Sequence, residues 1–370
     1  MPAPGSQYDR KTLFLRACHG QETDRAPVWM MRQAGRYLPE YRALRARHSF
    51  LEVCKTPDLA VEASLQPFLA LGMDAVIVFS DILIPAEAMG LAITFADSGP
   101  ELGRTIRNQE DVEALQDFDP EQETRFVSDA IGQLCHTLGP EVPVLGFAAA
   151  PWTLACYMID GQGTSGFPRT KQMLHTHPTV LRELLRRIAR CTARYLAAQV
   201  AAGAAAVQLF DTWAGELGRE EYDSFALPAV QHLIDSLAPG TTPVIYYSKG
   251  SNHLLESAAR TGATVLSVDW RVDLGELRAL LMERTGRFWP LQGNVDPSAL
   301  LGTDAGVRRA ARHALAQTGG RAHILNLGHG ILPDVPVESA RAFIHAGQTG
   351  HAPTSGTRRV IEAPISPGNS

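Results

Sequence analysis

The feature that most constrains the fold of this chain is a series of eight short apolar runs separated by longer stretches with helical spacing. The runs are almost continuously apolar, as is typical of parallel strands buried on both faces. Three of the intervening stretches, 177–202, 274–285 and 304–317, have the pattern of amphipathic helices. The eight runs are residues 26–30, 74–79, 143–147, 204–210, 243–247, 264–268, 289–292 and 322–327.

Eight such runs with helical crossovers predict an α/β fold, a single (β/α)8 TIM-type barrel. The main alternative is a doubly wound sheet, which normally carries a glycine-rich turn directly after its first strand. Residues 32–36, Arg-Gln-Ala-Gly-Arg, lack that fingerprint. The stretch 89–102 contains a short alternating segment, which predicts a small hairpin inserted after the second strand.

Composition and charge limit what the chain can do. The sequence is 45% hydrophobic with a formal net charge of −5, which suits a large globular core and argues against a nucleic-acid binder. Its five cysteines are dispersed, so neither a disulfide framework nor a zinc pattern is indicated. Without an apolar run of membrane-spanning length or a signal peptide, a cytoplasmic protein with no membrane contact is expected. We expect one catalytic domain over 8–350, with flexible termini at 1–7 and 351–370.

Polar and aromatic residues follow the apolar runs, where a barrel of this kind places its active site. The segment after the first run, 30–42, holds three arginines and two tyrosines. Gly35 and Pro39 disfavour a long helix there, so the segment is predicted to be a shaped loop. Arginine suits carboxylates or phosphates because its donors form a planar fork. Arg32 and Arg36 are the strongest pair, and any anion site must be built locally in a chain of negative net charge.

Four further side chains at these ends each allow two interpretations. Asp81 lies in an almost wholly apolar frame, and it is either a helix cap or a carboxylate in a dry pocket that needs a cation or N–H donors. His329 lies between two glycines and is either a turn residue or a ligand contact. Tyr157 could be a core aromatic residue or line a site. Thr212 could cap a helix or contact a ligand.

Longer segments resemble a known family. Residues 32–41, RQAGRYLPEY, and 146–161, GFAAAPWTLACYMIDG, are similar to two signature sequences of the uroporphyrinogen decarboxylase family. Long matches to two signatures are far more specific than one short motif, and the resemblance spans roughly residues 8–347. Shorter matches follow in the same order at 79–83, 208–215, 292–297 and 326–330.

The resemblance implies a cofactor-free barrel enzyme of haem biosynthesis, usually a homodimer. Such a carboxy-lyase converts the four acetate side chains of uroporphyrinogen III to methyls, giving coproporphyrinogen III and four CO2. It further implies that Asp81 accepts hydrogen bonds from the pyrrole N–H groups. Arg32 and Arg36 would then meet substrate carboxylates, with Arg32 also a proposed proton donor. Because the pKa of arginine exceeds about 12, a carboxylate clamp is the favoured role for Arg32.

The resemblance also implies a wider set of substrate-binding residues. One of them departs from the family pattern, since the position of Thr212 is commonly serine. Threonine keeps the hydroxyl group and adds a methyl, so binding should survive with a small change of shape. The remaining residues of this set are Gln33, Tyr157, Phe210 and His329.

Two other functions remain open. A corrinoid-linked methyltransferase on the same barrel would use a zinc site with a His-x-Cys pair and a later cysteine, but no cysteine follows Cys191. A non-enzymatic tetrapyrrole-binding scaffold would keep the arginines and tolerate the loss of Asp81. Decarboxylation by contrast requires that carboxylate.

Overall fold

The structure is a computed structural model that describes residues 2–96, 99–237 and 242–350. The predicted flexible tail, 351–370, lies outside these residues. Seven parallel strands form one sheet in the order β1-β4-β5-β6-β7-β8-β9, and β2 pairs with β3 in a separate antiparallel hairpin. The strands are β1 (Val76–Ile77), β2 (Ile93–Ala96), β3 (Gly99–Leu102), β4 (Val144–Ala149), β5 (Ala206–Asp211), β6 (Val244–Ser248), β7 (Val265–Val268), β8 (Leu291–Val295) and β9 (His323–Leu327).

Helices connect the successive strands of the seven-stranded sheet, as expected for parallel pairing. Short 3-10 turns at Ala214–Glu216, Asn252–Leu254 and Pro297–Leu301 and a π-helical segment, Tyr222–Ala226, complete the connections. The α-helices are α1 (Arg10–Cys18), α2 (Pro39–Arg47), α3 (Phe50–Lys55), α4 (Pro57–Leu71), α5 (Ile84–Ala88), α6 (Gln109–Glu113), α7 (Pro120–Glu123), α8 (Arg125–Leu138), α9 (Pro151–Asp160), α10 (Pro168–Thr176), α11 (Pro178–Ala201), α12 (Arg219–Glu221), α13 (Leu227–Ser236), α14 (Leu255–Ala258), α15 (Leu274–Thr285), α16 (Asp304–Thr318) and α17 (Val337–Thr349).

The three long helices predicted from spacing are confirmed as α11, α15 and α16. Helix α16 shows how local sequence sets the bounds. The Thr303 side chain accepts a hydrogen bond from the Gly306 N–H at the start, and Gly319 ends the helix in the left-handed region at φ 60°. No helix in the described ranges combines the length and apolar character needed to cross a bilayer.

Seven of the eight predicted apolar runs overlap a strand of the sheet. Every residue of β4, β6, β7, β8 and β9 is buried, which explains why these runs lack an alternating pattern. In β5 only Phe210 is partly exposed. The predicted hairpin after the second run is also confirmed, with Ile93 paired to Leu102. The α/β class and the parallel sheet therefore follow the sequence.

The first run, 26–30, is not a strand, so the prediction of eight strands is wrong at this point. Val28 alone makes an isolated bridge, to Leu325 in β9. The Val28 N–H donates to the Asp74 side chain at 2.9 Å instead of a neighbouring strand, and Pro27 has no N–H to donate. The segment nevertheless contacts both edges of the sheet. The Trp29 N–H donates to the Leu325 carbonyl at 3.2 Å, and the Asp74 N–H donates to the Val28 carbonyl at 2.8 Å.

The N-terminal residues, predicted to be flexible, make specific contacts from residue 3 onward. Ala3 is buried, and the Ser6 hydroxyl donates to Asp24 at 2.7 Å. The Pro4 carbonyl accepts a hydrogen bond from Nε of the buried Arg25 at 2.7 Å. A buried guanidinium needs acceptors for its N–H groups, and this segment supplies one.

Candidate active site

Residues 31–38 of the arginine segment form a loop, as predicted, but its last four residues, 39–42, are the start of α2. Arg32 has a left-handed backbone with φ 59°, which costs a non-glycine residue about 1–2 kcal/mol. Two contacts hold it there, one from β9 and one from the chain after β9. The Met31 N–H donates to Oδ1 of Asn326 at 2.8 Å, and the Ile331 N–H donates to the Met31 carbonyl at 3.0 Å. The loop is therefore preorganised by residues about 300 positions away.

The Arg32 side chain carries a positive charge that acts on several neighbouring groups of this region. It lies across Gly330, where any Cβ would overlap it. In the described part of the chain no carboxylate comes within ion-pair distance of its guanidinium. Its positive charge lies close enough to act on the pKa values of Asp81, Tyr157, Tyr247 and His329. Groups that follow or lie in β1, β4, β6 and β9 are thus brought together.

Asp81 follows β1 and is partly exposed. Its Oδ1 accepts a hydrogen bond from the Leu83 N–H at 2.8 Å in a turn, whereas α5 starts at Ile84 with no side-chain cap. Asp81 is therefore not the cap of that helix. Burial raises its pKa to about 6, against the opposing influence of the Leu83 N–H and Arg32. The carboxylate is mainly ionised at pH 7 and can stabilise a positive charge beside it.

An aromatic group borders the region on the α9 side. Tyr157 is partly exposed, and its ring centroid lies 6.4 Å from that of Trp213 and 6.4 Å from that of Phe167. Burial raises the pKa of Tyr157, so its phenol keeps its proton and can donate a hydrogen bond. The Lys249 ammonium lies 5.8 Å from the Trp213 ring centroid. Aromatic faces and a cation therefore adjoin each other here.

A buried carboxylate fixes the loop after β5. Asp211 accepts hydrogen bonds from the hydroxyls of Thr153 at 2.8 Å and Tyr246 at 2.6 Å. Burial raises its pKa to about 6 in spite of these donors. The Thr153 oxygen in turn accepts from the Trp213 N–H at 3.1 Å. Both ends of this loop are thereby attached to α9.

Phe210 and Thr212 flank that anchor, and both are partly exposed. The Phe210 ring lies edge-on to Phe147 at 5.7 Å and to Tyr247 at 5.9 Å between centroids. Thr212 does not cap a helix, because the 3-10 turn that follows has Trp213 at its N-cap position and no side-chain cap. Its hydroxyl is therefore not engaged in capping.

His329 follows β9 and lies beside Tyr247. Its Nδ1 is 3.0 Å from the Tyr247 hydroxyl oxygen, and the two rings are within 7° of parallel. Burial, reinforced by Arg32, Lys249 and Arg271, lowers the pKa of His329 to about 3. The imidazole is therefore neutral at any physiological pH.

The structure does not bring Gln33 and Arg36 into the group around Arg32. The Gln33 side chain is fully buried, and both of its amide atoms lack a protein partner. Arg36 is exposed at the outer part of the loop, close enough to Tyr41 to act on its pKa. Their substrate-binding roles stay predictions.

Sequence reasoning assigned no role to two side chains that the structure places beside these groups. Lys249 follows β6 and is half-buried, with no carboxylate at ion-pair distance among the described residues. Tyr247 is buried between Phe210 and His329. The available signal for Lys249 was its place at a strand end in a chain with four lysines. Within the described ranges, no group of three or more His, Cys, Asp or Glu side chains is arranged to hold a metal ion.

Comparison with solved structures shows a shared fold. A methyltransferase from Methanosarcina mazei superposes with a TM-score of 0.78 over 92% of this chain and 98% of its own. The two sequences are 22% identical, so the likeness concerns the fold alone.

Sequence comparison identifies the family. The family model for uroporphyrinogen decarboxylase (URO-D) matches residues 9–349. A uroporphyrinogen decarboxylase of Trichlorobacter lovleyi is 45% identical over 332 residues, which are 90% of this chain and 96% of the relative. One of Pelobacter propionicus is 45% identical over 338 residues, 91% of this chain and 98% of the relative. The chain therefore belongs to the uroporphyrinogen decarboxylase family.

Proposed function

We propose that the protein decarboxylates the four acetate side chains of uroporphyrinogen III in haem biosynthesis, giving coproporphyrinogen III and four CO2. The observation that carries the proposal is the proximity of a guanidinium and a carboxylate of opposite charge that form no ion pair with each other. Arg32 has no carboxylate partner in the described part of the chain, and Asp81 lies near it with a pKa of about 6. The Arg32 guanidinium suits the acidic side chains of a tetrapyrrole, and the Asp81 carboxylate suits its ring N–H groups.

The chemistry requires a carboxylate at the ring. Loss of CO2 from a pyrrole acetate leaves an electron pair, and protonation of the pyrrole ring provides the electron sink that receives it. The protonated ring is cationic, and the Asp81 carboxylate stabilises it electrostatically. One such contact supplies about 3–4 kcal/mol, whereas enzymes lower barriers by about 8–23 kcal/mol. Orientation and exclusion of water must supply the rest. After CO2 leaves, a second proton converts the exocyclic methylene to a methyl, and the ring releases the proton that it had gained, which restores the neutral pyrrole.

Cations in the site hold the substrate's acidic side chains. Uroporphyrinogen bears eight carboxylates, and a protein with a net charge of −5 must meet them with a local cluster. We assign Arg32 and Lys249 to this role, with Arg36 meeting a carboxylate from the exposed outer part of the loop. Arg32 thus acts as a clamp, and the proton donor is left unassigned because arginine is a poor acid. The further substrate-binding residues of the proposal are Gln33, Tyr157, Phe210, Thr212 and His329.

The proposal extends to architecture. Segment 26–30, although not a strand, lies between β9 and β1 and completes a (β/α)8-type barrel over residues 8–350. The hydrogen bonds from the Trp29 N–H to the Leu325 carbonyl in β9 and from the Asp74 N–H before β1 to the Val28 carbonyl support the closure. We also propose a cytoplasmic homodimer that works without a cofactor, as the sequence resemblance implies.

The decisive experiment is anaerobic incubation of the purified protein with uroporphyrinogen III and no added cofactor. Chromatography after oxidation should show porphyrins with seven, six, five and four carboxylates. Failure to form them contradicts the proposed function.

The Asp81→Asn variant separates an enzyme from a tetrapyrrole-binding scaffold. Removing the charge should lower kcat about 10²–10³-fold, by analogy with the loss of one stabilising group elsewhere. The circular dichroism spectrum should stay unchanged. Asp235→Asn, an exposed aspartate on α13, is the matched control and should keep full turnover. Near-normal turnover by Asp81→Asn would refute the assigned role.

A further inference from the structure

The Tyr247 hydroxyl lies between two polar atoms of the chain that follows β9. Its oxygen is 2.8 Å from the Gly328 carbonyl oxygen and 3.0 Å from Nδ1 of His329. A carbonyl oxygen can only accept, and a phenol has one proton. The hydroxyl therefore donates to Gly328, and it accepts a hydrogen bond from Nδ1–H of His329.

We propose that Tyr247 fixes His329 as its Nδ1–H tautomer, so that the ring presents Nε2 to the ligand as a hydrogen-bond acceptor. A neutral imidazole carries one proton, so protonation of Nδ1 leaves a lone pair on Nε2. Nε2 has no hydrogen-bond partner among the described residues, and the His329 side chain is partly exposed. Because Nε2 accepts, the ligand group that contacts it must be a hydrogen-bond donor. On a tetrapyrrole such a donor is a pyrrole N–H or a carboxylic acid O–H. Only this ligand assignment rests on the proposed function.

The surrounding packing keeps the pair in place. Tyr247 is fully buried in β6, and its ring packs edge-on against Phe210 on one side and parallel to His329 on the other. The backbone at Gly328 approaches Trp270 so closely that a Cβ would lie 2.6 Å from the Trp270 nitrogen. With Nδ1 as acceptor instead, the phenol proton would leave Gly328, and two oxygens would face each other at 2.8 Å without a proton between them.

The charges around the ring preserve this state over a wide pH range. Arg32, Lys249 and Arg271 face His329, and with burial they lower its pKa to about 3. Asp269 faces Tyr247 and pairs with Arg271 at 2.6 Å, and it acts to raise the pKa of the phenol. Neither the imidazole nor the phenol therefore changes its protonation state between pH 5 and pH 8. The tautomer is a fixed property of the site.

The test is nitrogen-15 NMR of the full-length protein labelled at histidine, with no substrate present. Two-bond proton–nitrogen correlations distinguish a protonated ring nitrogen from an unprotonated one, and the signal absent from His329→Asn identifies His329. The wild-type spectrum should show Nδ1 protonated and Nε2 unprotonated from pH 5 to pH 8. Tyr247→Phe removes the hydroxyl and keeps the ring, so the Nε2–H tautomer should appear.

A second tyrosine provides the matched control. The Tyr222 hydroxyl contacts that of Tyr246 at 2.8 Å and makes no contact with His329, so Tyr222→Phe should leave the His329 signal unchanged. A wild-type spectrum with Nε2 protonated overturns the proposal. The same tautomer in Tyr247→Phe as in the wild type overturns the role of Tyr247. Neither outcome bears on whether the enzyme decarboxylates uroporphyrinogen.

Kinetics supply the functional arm. If Nε2 accepts a hydrogen bond from bound substrate, Tyr247→Phe should raise KM for uroporphyrinogen about 2- to 12-fold, the range of one net hydrogen bond. The kcat value should change less than KM, because a hydrogen bond made equally to bound substrate and to the transition state contributes to binding and not to the chemical step. An unchanged KM together with a changed tautomer contradicts the ligand assignment.

Discussion

Arg25 and Arg32 lie seven residues apart at the two ends of segment 26–30, and their surroundings are opposite. Arg25 is fully buried and binds both Asp74 oxygens, with Nη1–Oδ2 at 2.7 Å and Nη2–Oδ1 at 2.9 Å. Arg32 is exposed on a left-handed backbone, and no carboxylate lies within ion-pair distance in the described ranges. One short segment is therefore flanked by an arginine in a buried ion pair and by an arginine with no carboxylate partner in the described ranges.

The difference separates an arginine that holds the fold from one that binds a ligand. A guanidinium taken out of water must be compensated by hydrogen-bonded partners, and Asp74 provides that compensation for Arg25. Asp74 also accepts the Val28 N–H at 2.9 Å, so the ion pair fixes the segment itself. Arg32 keeps its charge available because the fold anchors its backbone through Met31 and leaves its side chain free.

The largest effect is expected from Arg25→Met. The substitution leaves the Asp74 carboxylate buried without its main partner, and breaking such a pair costs about 3–5 kcal/mol in the free energy of unfolding. Urea denaturation would measure the loss. Arg186→Met is the control, because Arg186 is 55% exposed and pairs with Glu183 on the surface, where about 0–1 kcal/mol is expected. Equal losses in the two variants would contradict the structural role of Arg25.

Arg32→Met should show the reverse behaviour. A hydrogen bond to a charged group contributes about 1.5–3 kcal/mol, so kcat/KM for uroporphyrinogen should fall about 10- to 100-fold. The free energy of unfolding should change by less than about 0.5 kcal/mol, as for other exposed positions. Arg47→Met, on the exposed face of α2, should leave both quantities unaltered. A stable variant with normal kcat/KM would contradict the clamp.

Much of the fold could be predicted because parallel strands buried on both faces leave a local trace in the sequence. Seven of the eight apolar runs show this continuous apolar pattern and overlap a strand of the sheet. The first run has the same apolar character, but the Val28 N–H bonds to a side chain 46 residues away, a tertiary contact that no local pattern encodes. The bridge from Val28 to Leu325, almost 300 residues away, could not be predicted from the local sequence either.

In the candidate site, too, residues with a local sequence signal could be predicted, and residues whose roles depend on tertiary contacts could not. Asp81 stood out because a lone carboxylate in an apolar frame is conspicuous, and His329 because two glycines flank it. Tyr247 was hidden, since it ends an apolar run and its role depends on where β6 meets the chain after β9. The burial of Gln33 was also hidden, because its neighbours Arg32 and Ala34 suggest an open loop. Spatial convergence determines these roles, and residue type alone does not reveal it.

The smallest expected effect is a shift in the pH dependence of kcat/KM when Arg32, whose charge acts on the Asp81 pKa, is replaced. Burial raises the Asp81 pKa to about 6 and the Arg32 charge acts to lower it, so the ionised carboxylate is lost as pH falls through about 6. Because decarboxylation needs the ionised form, kcat/KM should fall below pH 6 by up to about tenfold per pH unit. In Arg32→Met the lowering influence is gone, so this acid limb should move to higher pH. The substrate's own carboxyl groups titrate identically with both enzymes, so a limb at the same pH in both would show that Arg32 does not act on Asp81.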